Sequence, residues 1–244
     1  CLNDIKNLRF PLIIKPIKRD DLNTDVFRNK IIQTPDDFSQ KFFNNFFKKN
    51  IEFIISEIIP GDDTNIYSYT CFRNKKGIIV NEWIGKKLNQ HPDNYGVFSS
   101  ATNFAPDKIL DLGRKIVNAM NLHGICQPEF KFDKRDNTYK LMEINMRFMM
   151  WNRVGYLSNV NLAYNQYLDS FNIKQKKIYQ NLDSKIHFVY LKHEILNLFK
   201  RKGYLKYFIF NVFGGSKLRF AVFNIWDIKP FLFDIYLSLK KKYA

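Results

Sequence analysis

Glu129–Arg147 reads EFKFDKRDNTYKLMEINMR. Two strand-like runs, Ile125–Asp133 and Tyr139–Phe148, flank the polar turn Lys134-Arg135-Asp136-Asn137-Thr138, and this pattern predicts a β-hairpin. With the turn centred on Asp136, Glu129 lies directly opposite Glu143. Side chains alternate faces along a strand, so Glu143, Asn145 and Arg147 share one face with Glu129. Like charges facing each other across strands are destabilising, and a cation is expected between them. Two arrangements meet that need. In one, oxygen atoms of Glu129, Glu143 and Asn145 hold Mg²⁺, a hard ion that keeps phosphate oxygens in its shell, while Arg147 holds a phosphoryl group. In the other, the face is solvated and Arg147 neutralises Glu143.

Working outward from the hairpin, Pro106–Leu122 places Ile109, Leu110, Leu112, Ile116, Val117 and Met120 on one helical face, with Gly124 as its stop. Tyr67–Arg73 and Ile78–Leu88 predict a second hairpin around Asn74–Gly77. Leu8–Pro16 and Ile51–Pro60 predict buried strands, the second broken by Pro60-Gly61. Between them lie a polar loop, Ile17–Asn29, a short strand at Lys30–Gln33 and a helix at Pro35–Lys49, with Asp36 and Asp37 in its first turn and Lys48 and Lys49 in its last. Another helix is expected near Leu162–Phe171. The region Lys185–Ala244 mixes both patterns and gives no clear reading. Hairpins with segregated helices predict an α+β fold, not a doubly wound parallel sheet.

The chain has 244 residues, 39 Lys+Arg against 23 Asp+Glu, and a net charge of +16. Such an excess attracts polyanions, yet lysine is spread along the whole length, as a general compositional bias would spread it. Three cysteines, Cys1, Cys71 and Cys126, have no CxxC or Cys/His spacing, so neither a disulfide framework nor a zinc site is expected. Cys71 and Cys126 fall in strand-like runs and read as small core hydrophobes. No apolar run reaches the roughly 18 residues of a membrane span, and a signal peptide is not evident. A cytoplasmic location follows as the expectation. Cys1 is not an initiator Met and a strand begins soon after it, so an upstream segment is expected to be missing.

LIIKP at Leu12–Pro16, ISEIIPG at Ile55–Gly61 and GICQPEFKFD…LMEINMR at Gly124–Arg147 come in an order and spacing that resemble the ATP-grasp superfamily. GKKLNQHPDNYG at Gly85–Gly96 and WDIKPF near the C-terminus add to the likeness. Within the superfamily the resemblance is to carboxylate–amine ligases related to D-aspartate ligase and to the carbamoyl-phosphate synthase large chain. It covers roughly Leu8–Asp169 and is weaker beyond.

The resemblance implies two α+β subdomains built on antiparallel sheets that grip ATP, at residues 1–57 and 58–170, with 171–244 as a C-terminal extension and a preceding domain missing. It implies an ATP- and Mg²⁺-dependent ligase, with Mn²⁺ as a substitute ion, that activates a carboxylate as an acyl-phosphate and couples it to an amine. Lys15 matches a lysine reaching the α- and β-phosphates, and Lys30 a second phosphate-contacting lysine. Read on its own, Lys15 equally suits a side chain that snorkels to the surface. Glu57 and Ile59 fall where the adenine amino group is met, and Asp63 where ribose is met. Glu129, Glu143 and Asn145 match the magnesium ligands, and Arg147 the catalytic arginine. No side-chain nucleophile is needed, which agrees with few, unclustered Cys and His. Acceptor contacts are sought at His91, Tyr95, Ser99, Arg153 and Gly155.

Two departures stand out. Ile17–Asn29 has no glycine where relatives close a glycine-bearing loop over phosphates, so closure would depend on Lys18, Arg19 and Arg28. Met146 replaces the usual proline. The first departure keeps a catalytically inactive, nucleotide-binding scaffold in view as an alternative. A basic single-strand nucleic-acid module is a further alternative, disfavoured because Glu129 and Glu143 would repel phosphate without metal. The expected partners are therefore a small-molecule carboxylate and amine, with no nucleic acid and no membrane span.

Overall fold

A computed structural model describes residues 7–17, 27, 29–37, 51–92, 96–214 and 217–243. The helix expected at Pro35–Lys49 beyond Asp37, most of the loop Ile17–Asn29 (Lys18, Arg19 and Arg28 included), Cys1 and Tyr95 lie outside the described residues. The chain divides into two compact units, Cys1–Pro60 and Gly61–Ala244.

In the smaller unit, β1 (Leu12–Pro16) runs antiparallel between β2 (Lys30–Ile32) and β3 (Phe53–Glu57). Leu12, Ile14 and Ile32 are buried together, with Phe27, Phe53 and Ile55 packed against them. The expectation of a fully buried strand at Ile51–Pro60 is corrected: β3 alternates, with Phe53 and Ile55 turned to this cluster and Ile54 exposed. Alternation of this kind marks a strand with one packed face.

The larger unit is built on one sheet. Its strands are β4 (Ile66–Arg73), β5 (Ile79–His91), β6 (Val97–Thr102), β7 (Gly124–Asp133), β8 (Thr138–Asn145), β9 (Ile178–Tyr179), β10 (Ile186–Val189) and β11 (Lys217–Phe220). They lie in the order β11-β10-β6-β5-β4-β7-β8, with the short β9 beside β5. Only β10–β11 and β5–β9 are parallel pairs among the described strands. The antiparallel meander follows from the short turn at Asn74–Gly77 and the polar tip after Asp133.

Helix α1 (Lys108–Ala119) covers one face, where Ile109 and Val117 meet Tyr69, Cys71, Ile84, Cys126 and Phe130. Gly113 brings the helix so close that a Cβ there would collide with the Tyr69 ring. The chain reverses at Asn121 (φ 49°), a left-handed position that asparagine tolerates. Gly124, expected as the helix stop, instead opens β7. The other face carries Trp83, Phe98 and Phe188 against Trp151, Val154 of α2 (Asn152–Leu157) and Leu162 of α3 (Leu162–Ser170). Trp83 and Trp151 meet edge-on, with ring centroids 5.4 Å apart. Each such buried ring is worth about 1.5–3 kcal/mol of transfer free energy.

Beyond α3, β10 adds to β6, so the tail extends the same sheet. It also supplies α4 (Leu191–Lys200), α5 (Leu205–Phe213) and α6 (Lys229–Tyr243). Fully buried Glu194 ties α4 to α5, accepting hydrogen bonds from Tyr204 Oη and Asn211 Nδ2. Among the described residues, no helix is long and apolar enough to cross a membrane.

Candidate functional site

The hairpin of β7 and β8 sets the site. At its tip Asp133 faces Thr138 and Phe130 faces Leu141; then the register shifts, and Glu129 faces Glu143 and Gln127 faces Asn145. The turn is therefore not symmetric about Asp136. The tip is tighter by one residue, and a β-bulge that leaves Met142 as the extra residue of β8 restores the expected pairing further down. Bulges of this kind insert one residue and re-aim the side chains beyond them. Glu129 and Glu143 are direct neighbours, and Asn145 stands one pleat further along the same face.

Glu129 is only 2% exposed. Burying a carboxylate is costly unless it is paired and hydrogen-bonded. Both conditions are met: Lys87 Nζ lies 2.9 Å from Oε2, and Gln127 Nε2 donates to Oε1 at 3.0 Å. Lys87 comes from β5, two strands away. Ser68 of β4, opposite both Gly85 and Glu129, leaves room for the lysine stem to cross. Glu143 is exposed and accepts from Asn145 Nδ2 at 3.1 Å. Gln127 Oε1 is buried with no hydrogen-bond partner, an acceptor open to a cation or a donor. Among the described residues no three His, Cys, Asp or Glu side chains gather as a metal cluster; the oxygen set here is two carboxylates with amides.

Arg147 lies just beyond β8, exposed, and its Nη1 donates to the Phe148 carbonyl at 3.5 Å. The pairing of Arg147 with Glu143 that the solvated-face arrangement requires is not made. The cation at the acid pair is Lys87, which the sequence reading passed over. Its signal was there: a lysine on the same strand face as Trp83 and Gly85, in the middle of a central strand.

The tip of the same hairpin holds a second acid. Asp133 is bound by Arg135 (2.7 Å) and Lys140 (2.6 Å), which hold its carboxyl well below the usual carboxylate range. Lys140 also reaches Asp136 at 2.8 Å.

In the smaller unit, Lys15 is half-buried near the end of β1 and pairs in register with Ile54. Lys30 begins β2 opposite Ile14. Glu57 ends β3 and accepts a hydrogen bond from the Arg9 N–H at 3.1 Å; Ile59 follows two residues on. In the larger unit, Asp63 opens a 3-10 turn just before β4, and its side chain lies outside what is described. Of the acceptor candidates, His91 and Ser99 meet at Asn197 of α4, through His91 Nδ1 to Oδ1 (2.7 Å) and Asn197 Nδ2 to Ser99 Oγ (3.3 Å). They serve the docking of α4. A hollow of about 430 Å³ beside them, lined by His91, Lys200, Arg201, Lys202 and Tyr204 among others, contains none of the hairpin residues. Arg153 is exposed on α2, and Gly155 packs against the Trp83 indole.

No family model matches the chain. A D-aspartate ligase of Enterococcus faecium is 25% identical over 166 residues, covering 63% of this chain and 38% of that protein. The N5-carboxyaminoimidazole synthetase of Staphylococcus aureus superposes with a TM-score of 0.58 at 14% identity, covering 83% of this chain and 52% of its own. The biotin carboxylase domain of Hydrogenobacter thermophilus 2-oxoglutarate carboxylase, determined with MgADP, ADP and bicarbonate, gives a TM-score of 0.54 at 11% identity over 73% of this chain and 40% of its own. The chain thus spans between about two fifths and a half of the length of these relatives.

Proposed function

The chain has the ATP-grasp fold, and on that premise we propose that it serves an ATP-dependent ligase that activates a small-molecule carboxylate as an acyl-phosphate and couples it to an amine. One observation carries the reading: Glu129 and Glu143 face each other on adjacent strands, with Asn145 alongside and Lys87 already at the buried member. Lys87 balances only the buried Glu129, so the exposed Glu143 on the edge strand is left for a further cation.

The donor set fits Mg²⁺, or Mn²⁺ in its place: Glu129, Glu143 and Asn145 offer hard oxygen atoms, and the open Gln127 Oε1 adds a fourth nearby. When bound, the ion supplies charge neutralisation for phosphate oxygens. The side chains do the rest. Lys87 and Arg147 steady anionic groups of the substrate and the phosphoryl being moved, and Lys15 and Lys30 hold the other phosphates. Glu57 and Ile59 receive the adenine amino group, and Asp63 the ribose. In this reading residues 1–57 are the nucleotide-gripping lobe, 58–170 the metal and catalytic lobe and 171–244 an extension. The work is cytoplasmic, where ATP is made available, and nucleic acid is not a partner.

Magnesium-dependent ATP binding by titration calorimetry, with phosphate release measured on candidate carboxylates, tests the assignment. Glu143→Gln is expected to abolish metal-dependent ATP binding. Arg147→Ala is expected to spare binding and reduce turnover by about 10²–10³-fold, as loss of a preorganised charge does. Equal loss of binding and turnover in both variants would contradict these roles. Tight ATP binding by the full-length protein with no phosphate release would favour the nucleotide-binding scaffold that the glycine-free loop Ile17–Asn29 suggests.

A further inference from the structure

The segment after β11 presents its apolar side chains outward. Ile225 and Ile228 are exposed on the connecting loop, and Trp226 between them is 93% exposed. Helix α6 follows and is anchored by its other side. Phe231 is buried and meets Phe223 edge-on, and Asp234 accepts hydrogen bonds from Tyr190 Oη (2.7 Å) and Lys192 Nζ (2.6 Å). With that side fixed, Leu232, Phe233, Tyr236 and Leu237 stand exposed, Phe233 at 59% and Tyr236 at 56%. Positions 229, 232, 233, 236, 237 and 240 recur at helical spacing, so these four residues form one stripe with Lys229 and Lys240 at its ends. Lys229, Leu232, Phe233 and Tyr236 line one shallow depression.

An amphipathic helix normally turns such a stripe to the core. Here the core-facing side is the narrower one, and the broad apolar stripe is left outward. We propose that this loop and stripe form a docking surface for an anionic lipid leaflet, on which α6 lies flat. The occupant follows from the charge pattern and the shape. Lys229 and Lys240 flank the stripe, Lys241 and Lys242 continue it in sequence, Asp234 is turned inward, and Asp227 is the one acid of the segment left outward. Lysines snorkel to headgroups while Trp, Phe and Leu enter the boundary with the acyl chains, and tryptophan favours that interface. A second copy is disfavoured, because a chain of net charge +16 would bring like-charged, lysine-flanked faces together. The attachment proposed is that of a helix lying in the interface plane; no described helix is long and apolar enough to span. The inference is independent of the ligase reading.

The tryptophans supply the readout. Trp83 and Trp151 are buried and Trp226 is exposed, so a blue shift of emission on adding vesicles reports Trp226. The full chain is mixed with phosphatidylcholine vesicles, alone or with phosphatidylglycerol, and both emission and co-sedimentation are followed. We expect a blue shift and co-sedimentation with the anionic vesicles only, both weakened by salt. Phe233→Ser with Leu237→Ser, and separately Lys229→Glu with Lys240→Glu, should each lower partitioning about tenfold or more. All four positions are on the surface, and unchanged circular dichroism controls for folding. Failure to sediment with anionic vesicles at low salt overturns the proposal. So does binding that neither double variant weakens, or concentration-dependent self-association that the serine variant abolishes.

Discussion

Asp133 and Glu129 are both buried carboxylates of strand β7, four residues apart, and they are satisfied in opposite ways. At the tip, Asp133 is enclosed by its own hairpin: Arg135 and Lys140 bind it, the Arg135 N–H donates to it, and Lys140 is shared with Asp136. At the base, Glu129 draws its cation from a distant strand, through Lys87, and faces an exposed acid rather than a base. The first arrangement is balanced in local charge, Asp133 and Asp136 against Arg135 and Lys140. The second carries an uncompensated negative group at a sheet edge. The same strand thus holds a carboxylate closed within its own turn and one tied to a distant strand, with an exposed acid, Glu143, opposite it.

The sharpest way to break this contrast is at Lys87. Lys87→Met leaves Glu129 buried without its cation, and a loss of about 3–5 kcal/mol of stability is expected by chemical denaturation. Adding Glu129→Gln should recover most of that loss; if the single variant is as stable as the parent, Glu129 does not depend on the lysine. A smaller effect is expected at the tip. Asp133→Asn should lower the melting temperature while leaving magnesium-dependent ATP binding unchanged, and a loss of ATP binding would erase the distinction between the two ends. The smallest effect is one of pH. Because Arg135 and Lys140 hold the Asp133 carboxyl below its ordinary value of 3.8, its contribution is present above that pH and is lost only as pH falls through the lower native value. Exchange protection of the Arg135 amide should therefore persist below pH 3.8, and its collapse nearer pH 5 would show that the tip is not closed.

The sequence made the acid pair legible because strand alternation and a polar turn are local signals. It reached Glu129 opposite Glu143 through an offset it could not see: a tighter tip and a bulge at Met142 that cancel. Lys87 was missed because its role depends on which strands become neighbours, and β4 separates β5 from β7. The tail was opaque for the same reason. β10 is only four residues long and is held by β6, more than eighty residues earlier. The end of α1 was misplaced because a left-handed Asn121 did what Gly124 was expected to do. Local chemistry was readable; partners brought together by the long-range order of strands were not.

Cys71 and Cys126 stand opposite each other on β4 and β7, free and buried beneath α1. A thiol in that position reacts with an alkylating reagent only when the helix lifts from the sheet. Labelling of these two sites, followed by mass spectrometry, is therefore a built-in stopwatch for breathing of that layer, and it can be run with and without nucleotide on the unmodified protein.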